Sequence, residues 1–420
     1  MEHSKKIKLV TFAPHPNFGT CLQSYALNKV LQDMGHDVEF IYNGRETPKW
    51  GIKEYTRYFI KLILPSKVIQ RIREKWETNL QNNAETPPVI LKLPNYRFLY
   101  AISKLPFYYP LYKFFKCRTL QWKKVWKFTY EDGNYNMRRI YTNDQYKDVV
   151  KDADIFITGS DQIWNPYCGG FNPMMFLEFA GNCKRIAYSS SIARPEFPKN
   201  VRERAKKDLQ NFKHIGVREQ SSVDMLNDLL NRDDVRAVVD PTYLLTKEEW
   251  QDFANRANIE FELPEKYIFC YFIGDRYRDY SAMVDDVKKQ TGIQDVITAD
   301  CTNGYVNYGD GILYKDGGPY EFVYLLSHAT MVCMDSFHAT VFALKFGVDF
   351  VHILKTKSEK SVESQNSRMY DLLKRYDLLY KLYDANNAEW LRSIDYDKVN
   401  KLMEKEIIDS YTFLQKEIYS

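Results

Sequence analysis

The stretch KIKLVTFAPHPNFGTCLQSYALNKVLQDMGHDVEFIYN, residues 6–43, decides the fold class. Residues 7–12 are a short apolar run that stops before Pro14, the pattern of a buried strand. Residues 20–34 follow with Leu22, Ala26, Val30 and Leu31 at helical spacing, and residues 37–42 return to a strand pattern. Strand, tight loop, helix and strand in that order make a βαβ unit, so the sheet starts parallel.

Outward from this unit the alternation breaks between about residues 44 and 152. It resumes with strand patterns at 155–158, 185–190, 214–217 and 236–239 and a helix at 219–230. A second run places strands at 267–273, 295–298, 330–333 and 350–353, with helices at 277–291, 320–327 and 338–346. Two successive halves joined near residue 245 predict an α/β chain of two Rossmann-like domains facing a cleft. The N-terminal domain spans 1–245 with a helical insertion at about 44–152, and the C-terminal domain spans 246–385. C-terminal helices over 386–420 are expected to pack back across both domains.

The 420 residues carry 59 Lys and Arg against 55 Asp and Glu, a net charge of +4 that gives no general argument for nucleic acid. A hydrophobic content of 45% excludes a mainly disordered chain. The seven cysteines are scattered without a CxxC pair and read as buried reduced thiols. No apolar run reaches the roughly 18 residues of a membrane helix, and the N-terminus reads as a first strand rather than a signal peptide. A cytoplasmic location is expected.

Residues 86–130 depart from this average. They hold nine basic side chains and no acidic one, interleaved with aromatics such as Tyr108, Tyr109, Trp122 and Trp126. Such a mixture suits an anionic membrane surface, here the inner membrane. It also suits stacking on single-stranded nucleic acid, or a packed helical insertion whose lysines are simply solvated. No nucleic-acid partner is expected.

In open parallel sheets ligands bind beyond the carboxyl ends of the strands, where helix N-termini offer N–H groups to anions. Neither GxGxxG nor GxxxxGK[ST] occurs, which demotes nicotinamide and P-loop nucleotide chemistry. After the strand at 155–158 come Gly159, Ser160, Asp161, Gln162 and Asn165 beside Trp164, polar groups next to an aromatic platform, as a sugar requires; the alternative is an Asx-type turn over a core tryptophan. Arg218 ends the strand at 214–217, where its planar fork fits phosphate or carboxylate, or else pairs with Glu219 or Asp240. Ser336 can cap the helix that follows the strand at 330–333, and His338 lies in that helix's first turn. Asp152 and Asp154 spell DxD ahead of their strand, at the wrong end for a cleft. No carboxylate or histidine cluster has metal-ligand spacing, so neither metal nor cofactor is expected.

Together NFGTCLQSYAL (17–27), DIFITGSDQIWNP (154–166), RIAYSSSIA (185–193), IGVREQSSVDML (215–226), VVDPTYLLTKEEW (238–250), MVCMDSFHATVFALKFG (331–347) and NSRMYDLLKRYDL (366–378) resemble the polysaccharide pyruvyl transferase family, in the family's order and over most of the chain. Ala339 stands where many members have Gly, and the basic-aromatic insertion is not a core feature. The resemblance implies a GT-B-like fold and a reaction that moves pyruvate from phosphoenolpyruvate, a co-substrate, onto a sugar, usually as a cyclic ketal. Characterised members act on lipid-linked or polymeric bacterial surface glycans, such as capsule or exopolysaccharide precursors. On that reading His338, Arg218 and Asp161 are the catalytic candidates. Arg218, Ser336, His338 and Arg368 bind the donor, while Asn17, Gly19, Gly159, Ser160, Asp161 and Trp164 line the acceptor side. Two rival readings are a glycosyltransferase of the same architecture using a nucleotide-sugar, and a non-catalytic glycan-binding protein of a membrane assembly.

Overall fold

A computed structural model describes residues 4–12, 17–43, 120–140, 143–166, 172–194, 196–274, 280–299, 311–355 and 366–420. Its twelve described strands form two wholly parallel sheets. The first contains β1 (Lys6–Val10), β2 (Asp37–Asn43), β3 (Met137–Ile140), β4 (Ile155–Thr158), β5 (Lys184–Ser190), β6 (His214–Val217) and β7 (Arg236–Ala237), in the order β3-β2-β1-β4-β5-β6-β7. The second contains β8 (Ile268–Tyr271), β9 (Val296–Ala299), β10 (Ile312–Tyr314), β11 (Met331–Met334) and β12 (Asp349–His352), in the order β10-β9-β8-β11-β12. In each the chain starts centrally, winds outward one way and then returns to wind the other, the doubly wound order.

The first unit forms for local reasons. Ile7, Leu9 and Val10 are buried, and β1 pairs with β2 (Ile7 opposite Val38) and with β4 (Ile7 opposite Ile155). Lys8, buried in the same strand, is neutralised by Glu39 Oε2 at 2.7 Å and Asp152 Oδ2 at 2.9 Å. That places the DxD aspartates at the amino end of the sheet, in structural pairs. Helix α1 (Phe18–Asp33) starts at Asn17, whose side chain accepts a hydrogen bond from Gly19 N, and ends before Gly35 at φ +87°.

The stretch at 44–152 is less of an insertion than its sequence suggests. Residues 137–151 belong to the first sheet: β3 extends it beside β2, and α3 (Asn143–Lys151) leads into β4. Helix α2 (Leu120–Trp126), with a π-helical turn over Lys127–Glu131, precedes them. The alternation was hidden because β3 reads MRRI, a charged edge strand whose Arg138 pairs with Glu39. The part of the basic-aromatic stretch at 86–119 lies outside the described residues.

The remaining helices are α4 (Lys199–Leu209), α5 (Ser221–Leu230), α6 (Lys247–Ala254), α7 (Ser281–Thr291), α8 (Pro319–Ser327), α9 (Phe337–Phe346), α10 (Ser367–Arg375) and α11 (Tyr396–Tyr419). One apolar cluster joins the halves. Phe18 of α1 packs on Tyr271 and Phe322, and Tyr25 packs on Trp250 and Phe253. Two further clusters fill the outer face of each sheet. Because α1 is buried against both halves, its polar Thr20, Gln23, Ser24 and Asn28 are buried along with its apolar residues. Helix α11 starts beside the second sheet, where Tyr396 OH donates to Val348 O. It then crosses to the first, where Ser410 Oγ accepts from Val239 N. This is a GT-B-like architecture with its two halves in contact along α1. Cys183, Cys270 and Cys333 are free thiols. No helix among the described residues is long and apolar enough to cross a membrane.

Candidate active site

Three strand ends of the first sheet and two helix starts of the second half converge. After β4, Gly159 adopts φ +117°, and a Cβ there would lie 2.0 Å from Tyr188 O, so only glycine fits the turn. Asp161 follows at φ +70°, a sparsely populated conformation for a non-glycine residue. Its Oδ2 accepts from Thr20 Oγ1 at 3.0 Å and its Oδ1 from Gln162 N at 2.8 Å. After β6, Arg218 is buried among three carboxylates. Its Nη1 donates to Asp240 Oδ2 at 2.9 Å, while Glu219 and Asp161 lie 3.5 and 3.7 Å away. Among the described residues its Nη2 has no hydrogen-bond partner. After β7, Asp240 caps a 3₁₀ turn by accepting from Thr242 N and Oγ1.

From the second half, Ser336 caps α9 with its hydroxyl. That cap aims Phe337 and His338 at the first half. The Phe337 ring lies 4.4 Å from the Arg218 guanidinium and 5.9 Å from that of Arg368, which enters from the first turn of α10. His338 Nε2 stands 3.5 Å from Asp240 Oδ2. Arg218 and His338, 120 positions apart, therefore share one carboxylate. Helix α10 is tied to the first half by Ser221 Oγ, which donates to Asp371 Oδ2 at 2.6 Å, and by Arg375 Nη2, which donates to Arg218 O.

The electrostatics are self-consistent. Burial, the largest influence on Asp161, pushes its carboxyl up, but His338, Arg218 and Arg368 outweigh it and hold the group below the ordinary carboxylate range. Asp240 follows the same balance: burial opposes ionisation, and His338, Arg218 and the Thr242 N–H overcome it. The slot lined by Arg218, Glu219, Asp240, Tyr243, Phe337 and Arg368 has about 10 Å³ of room, enough for about one water molecule. No group of three or more His, Cys, Asp or Glu among the described residues is arranged to hold a metal ion.

The sequence profile of the polysaccharide pyruvyl transferase family matches residues 17–354, and that span carries every described strand but β1 and every site residue but Arg368. The chain belongs to the polysaccharide pyruvyl transferase family. No curated protein matches it in sequence. Similar solved structures include UDP-GlcNAc 2-epimerase from Neisseria meningitidis bound to UDP-GlcNAc, at 8% identity, covering 99% of each chain with a TM-score of 0.48. Another is UDP-GlcNAc 2-epimerase from Methanocaldococcus jannaschii, at 9% identity over 95% of this chain and 92% of that one, TM-score 0.45. A third is the glycosyltransferase SnogD from Streptomyces nogalater, at 10% identity over 97% and 95%, TM-score 0.37. At such identities nothing about activity follows from them.

In this pyruvyl transferase family member Trp164 and Ser160, expected on the acceptor side, are packed inside the first half. Trp164 is no platform: it is 1% exposed, stacks on Phe176, meets Phe212 edge-on and donates Nε1–H to Met175 O. Ser160 is fully buried and donates from Oγ to Asp240 Oδ2 at 2.9 Å. Gly159 faces the Tyr188 carbonyl, and Gly19 lies against the His338 ring. Asn17 caps α1 at the rim. Asp240, Glu219 and Phe337 were missed as site residues. Asp240 and Glu219 entered the sequence reading only as alternative partners of Arg218, and Asp240 follows the end of β7 at Ala237 by three positions.

Proposed function

We propose that the chain transfers pyruvate from phosphoenolpyruvate to a sugar, forming a cyclic ketal across two hydroxyls of a lipid-linked or polymeric surface-glycan precursor. The observation that carries this reading is the buried Arg218, one N–H₂ arm of which makes no hydrogen bond among the described residues, beside Arg368 and His338 at the meeting of two helix starts. An enol phosphate bears a carboxylate and a phosphate, and two guanidiniums match both groups. Proton transfer from His338 to the methylene carbon makes an oxocarbenium-like centre at the adjoining carbon. A sugar hydroxyl attacks that centre and gives up its proton, for which the ionised Asp161 is the acceptor. Phosphate then leaves and a second hydroxyl closes the ketal, so one phosphoenolpyruvate and one diol give one ketal and one phosphate. Neither metal nor cofactor enters these steps. Ser336 serves by aiming His338.

The acceptor's lipid carrier is a further part of this proposal. Leu120, Trp126 and Tyr130 are exposed beside Lys123 and Lys127, a mixed basic and aromatic face suited to an anionic bilayer. Salt-sensitive co-sedimentation with anionic but not neutral vesicles is its expected sign, and equal partitioning into both would remove it.

Ligand protection from thermal unfolding separates the donor classes. Phosphoenolpyruvate at a hundredfold excess over its Kd stabilises by about 2.7 kcal/mol, a clear rise in Tm, whereas UDP-sugars leave Tm unchanged. Protection by UDP-sugars alone overturns the reading in favour of a glycosyltransferase.

A further inference from the structure

The histidine assigned to proton transfer belongs to the second half, yet both walls that hold its ring come from the first. We infer that Asp240 is a positioning residue for His338, fixing the imidazole across the interface so that the proton donor is assembled only when the two halves close. This inference rests on the pyruvyl-transfer reading above and on His338 as its proton donor.

The Asp240 carboxylate is fully buried and fixed at both oxygens. Oδ1 accepts from Thr242 N at 3.1 Å and Thr242 Oγ1 at 2.8 Å, contacts within its own turn that set the carboxylate plane. Oδ2 is thereby presented to Ser160 Oγ at 2.9 Å, Arg218 Nη1 at 2.9 Å and His338 Nε2 at 3.5 Å. The histidine contact is the long one, an ion-pair approach rather than a formed hydrogen bond, and catalytic contacts often tighten only when substrate binds. On the opposite side of the ring lies α1. A Cβ built on Gly19 would stand 2.2 Å from His338 Nδ1 and 2.7 Å from Cγ, closer than real atoms approach. Glycine at position 19 is what lets the ring enter.

His338 is thus clamped between Gly19 and Asp240, both on the first half, while its own helix supplies Phe337 edge-on at 5.4 Å. Because both clamps belong to the first half, parting the halves removes them at once. The arrangement has a chemical use. Protonated phosphoenolpyruvate is open to attack by water, so a proton donor that forms only on closure protects the intermediate from hydrolysis.

The test is a mutant cycle on phosphoenolpyruvate turnover, with direct binding measured by calorimetry for wild type, Asp240→Asn, His338→Ala, the double variant and Gly19→Ala. Asp240→Asn is expected to lower kcat on the order of 10²-fold, the low end of what a positioned acid–base group contributes. Its Kd for phosphoenolpyruvate should be unchanged or tighter, because a negative charge beside Arg218 is gone. The double variant should be no slower than His338→Ala alone, since Asp240 acts through that ring. Gly19→Ala should lower kcat with Asp240 intact, which keeps the test open if Asp240→Asn fails to fold. Wild-type turnover with His338→Ala inactive but Asp240→Asn and Gly19→Ala both near wild type overturns this inference alone, as do losses that multiply in the double variant. A wild type that neither binds nor consumes phosphoenolpyruvate overturns the pyruvyl-transfer reading and this inference with it.

Discussion

Arg218 shows how much one residue can be asked to do. Its guanidinium lies over Phe337, donates to Asp240 and keeps one arm free of hydrogen bonds among the described residues. Burial works against its charge, and Glu219, Asp240 and Asp161 more than restore it, so the group stays cationic in a nearly dry slot. A lysine there keeps the charge but loses the planar fork and the flat face that rests on the ring. Arg218→Lys is therefore expected to weaken phosphoenolpyruvate binding about 10–10²-fold, the loss of one charge-assisted hydrogen bond of about 1.5–3 kcal/mol. Calorimetric titration checks this, and unchanged affinity would remove Arg218 from the anion site. Both Arg218 and His338 were legible in the sequence because a parallel strand's carboxyl end is a geometric rule that needs no neighbours. Trp164 was not legible. GSDQIWNP reads equally as a platform or as a turn over a core residue, and the partners that decide it, Met175, Phe176 and Phe212, lie elsewhere in the chain.

Elements were legible in proportion to how apolar they are. β1, β4, β8 and β11 are buried in nearly continuous runs, so sequence places each to within a residue or two, as it does the helices α1 and α9 that end in glycine. β3 and β10 were missed because edge strands are short and tolerate charge, and β10 has only three residues. The packing of α9 on β12 also stores a pH response that no pattern shows. His352 is wholly buried, with Nδ1 3.2 Å from Thr340 Oγ1. Burial, with Lys355 and Arg368 adding to it, lowers its pKa to about 3. The unfolded chain takes up this proton near pH 6.5, and the folded one does not. Stability is thus fully present above pH 6.5 and is lost, at up to about 1.4 kcal/mol per unit, as pH falls from there toward 3. Replacing His352 by Gln should make the loss between pH 7 and pH 5 smaller by about 2 kcal/mol. Urea unfolding at the two pH values is the check, and an identical pH dependence in the variant would place the titration elsewhere.

At the scale of the whole molecule, the site exists only because two sheets are in contact. The first supplies Asp161, Arg218 and Asp240 from strand ends, the second supplies Phe337 and His338, and Arg368 arrives on α10. The halves were visible in the sequence as two runs of alternating strands and helices. Their closeness was not, because α1 buries polar Gln23, Ser24 and Asn28 as well as its apolar residues, and nothing in its order tells which face meets which sheet. The sequence offered Glu219 or Asp240 as alternative partners of Arg218, and the structure sets both, with Asp161, around its guanidinium. On the proposed reading an anionic donor must displace some of these contacts. The most direct measurement is acceptor-dependent phosphate release from phosphoenolpyruvate, with pyruvyl incorporation followed by mass spectrometry over a panel of p-nitrophenyl hexosides. Phosphate should appear only with an acceptor, in equal amount to a product heavier by one pyruvyl ketal, and His338→Ala should stop both. Phosphate release that is indifferent to acceptor, or consumption of a UDP-sugar with phosphoenolpyruvate untouched, would contradict the account.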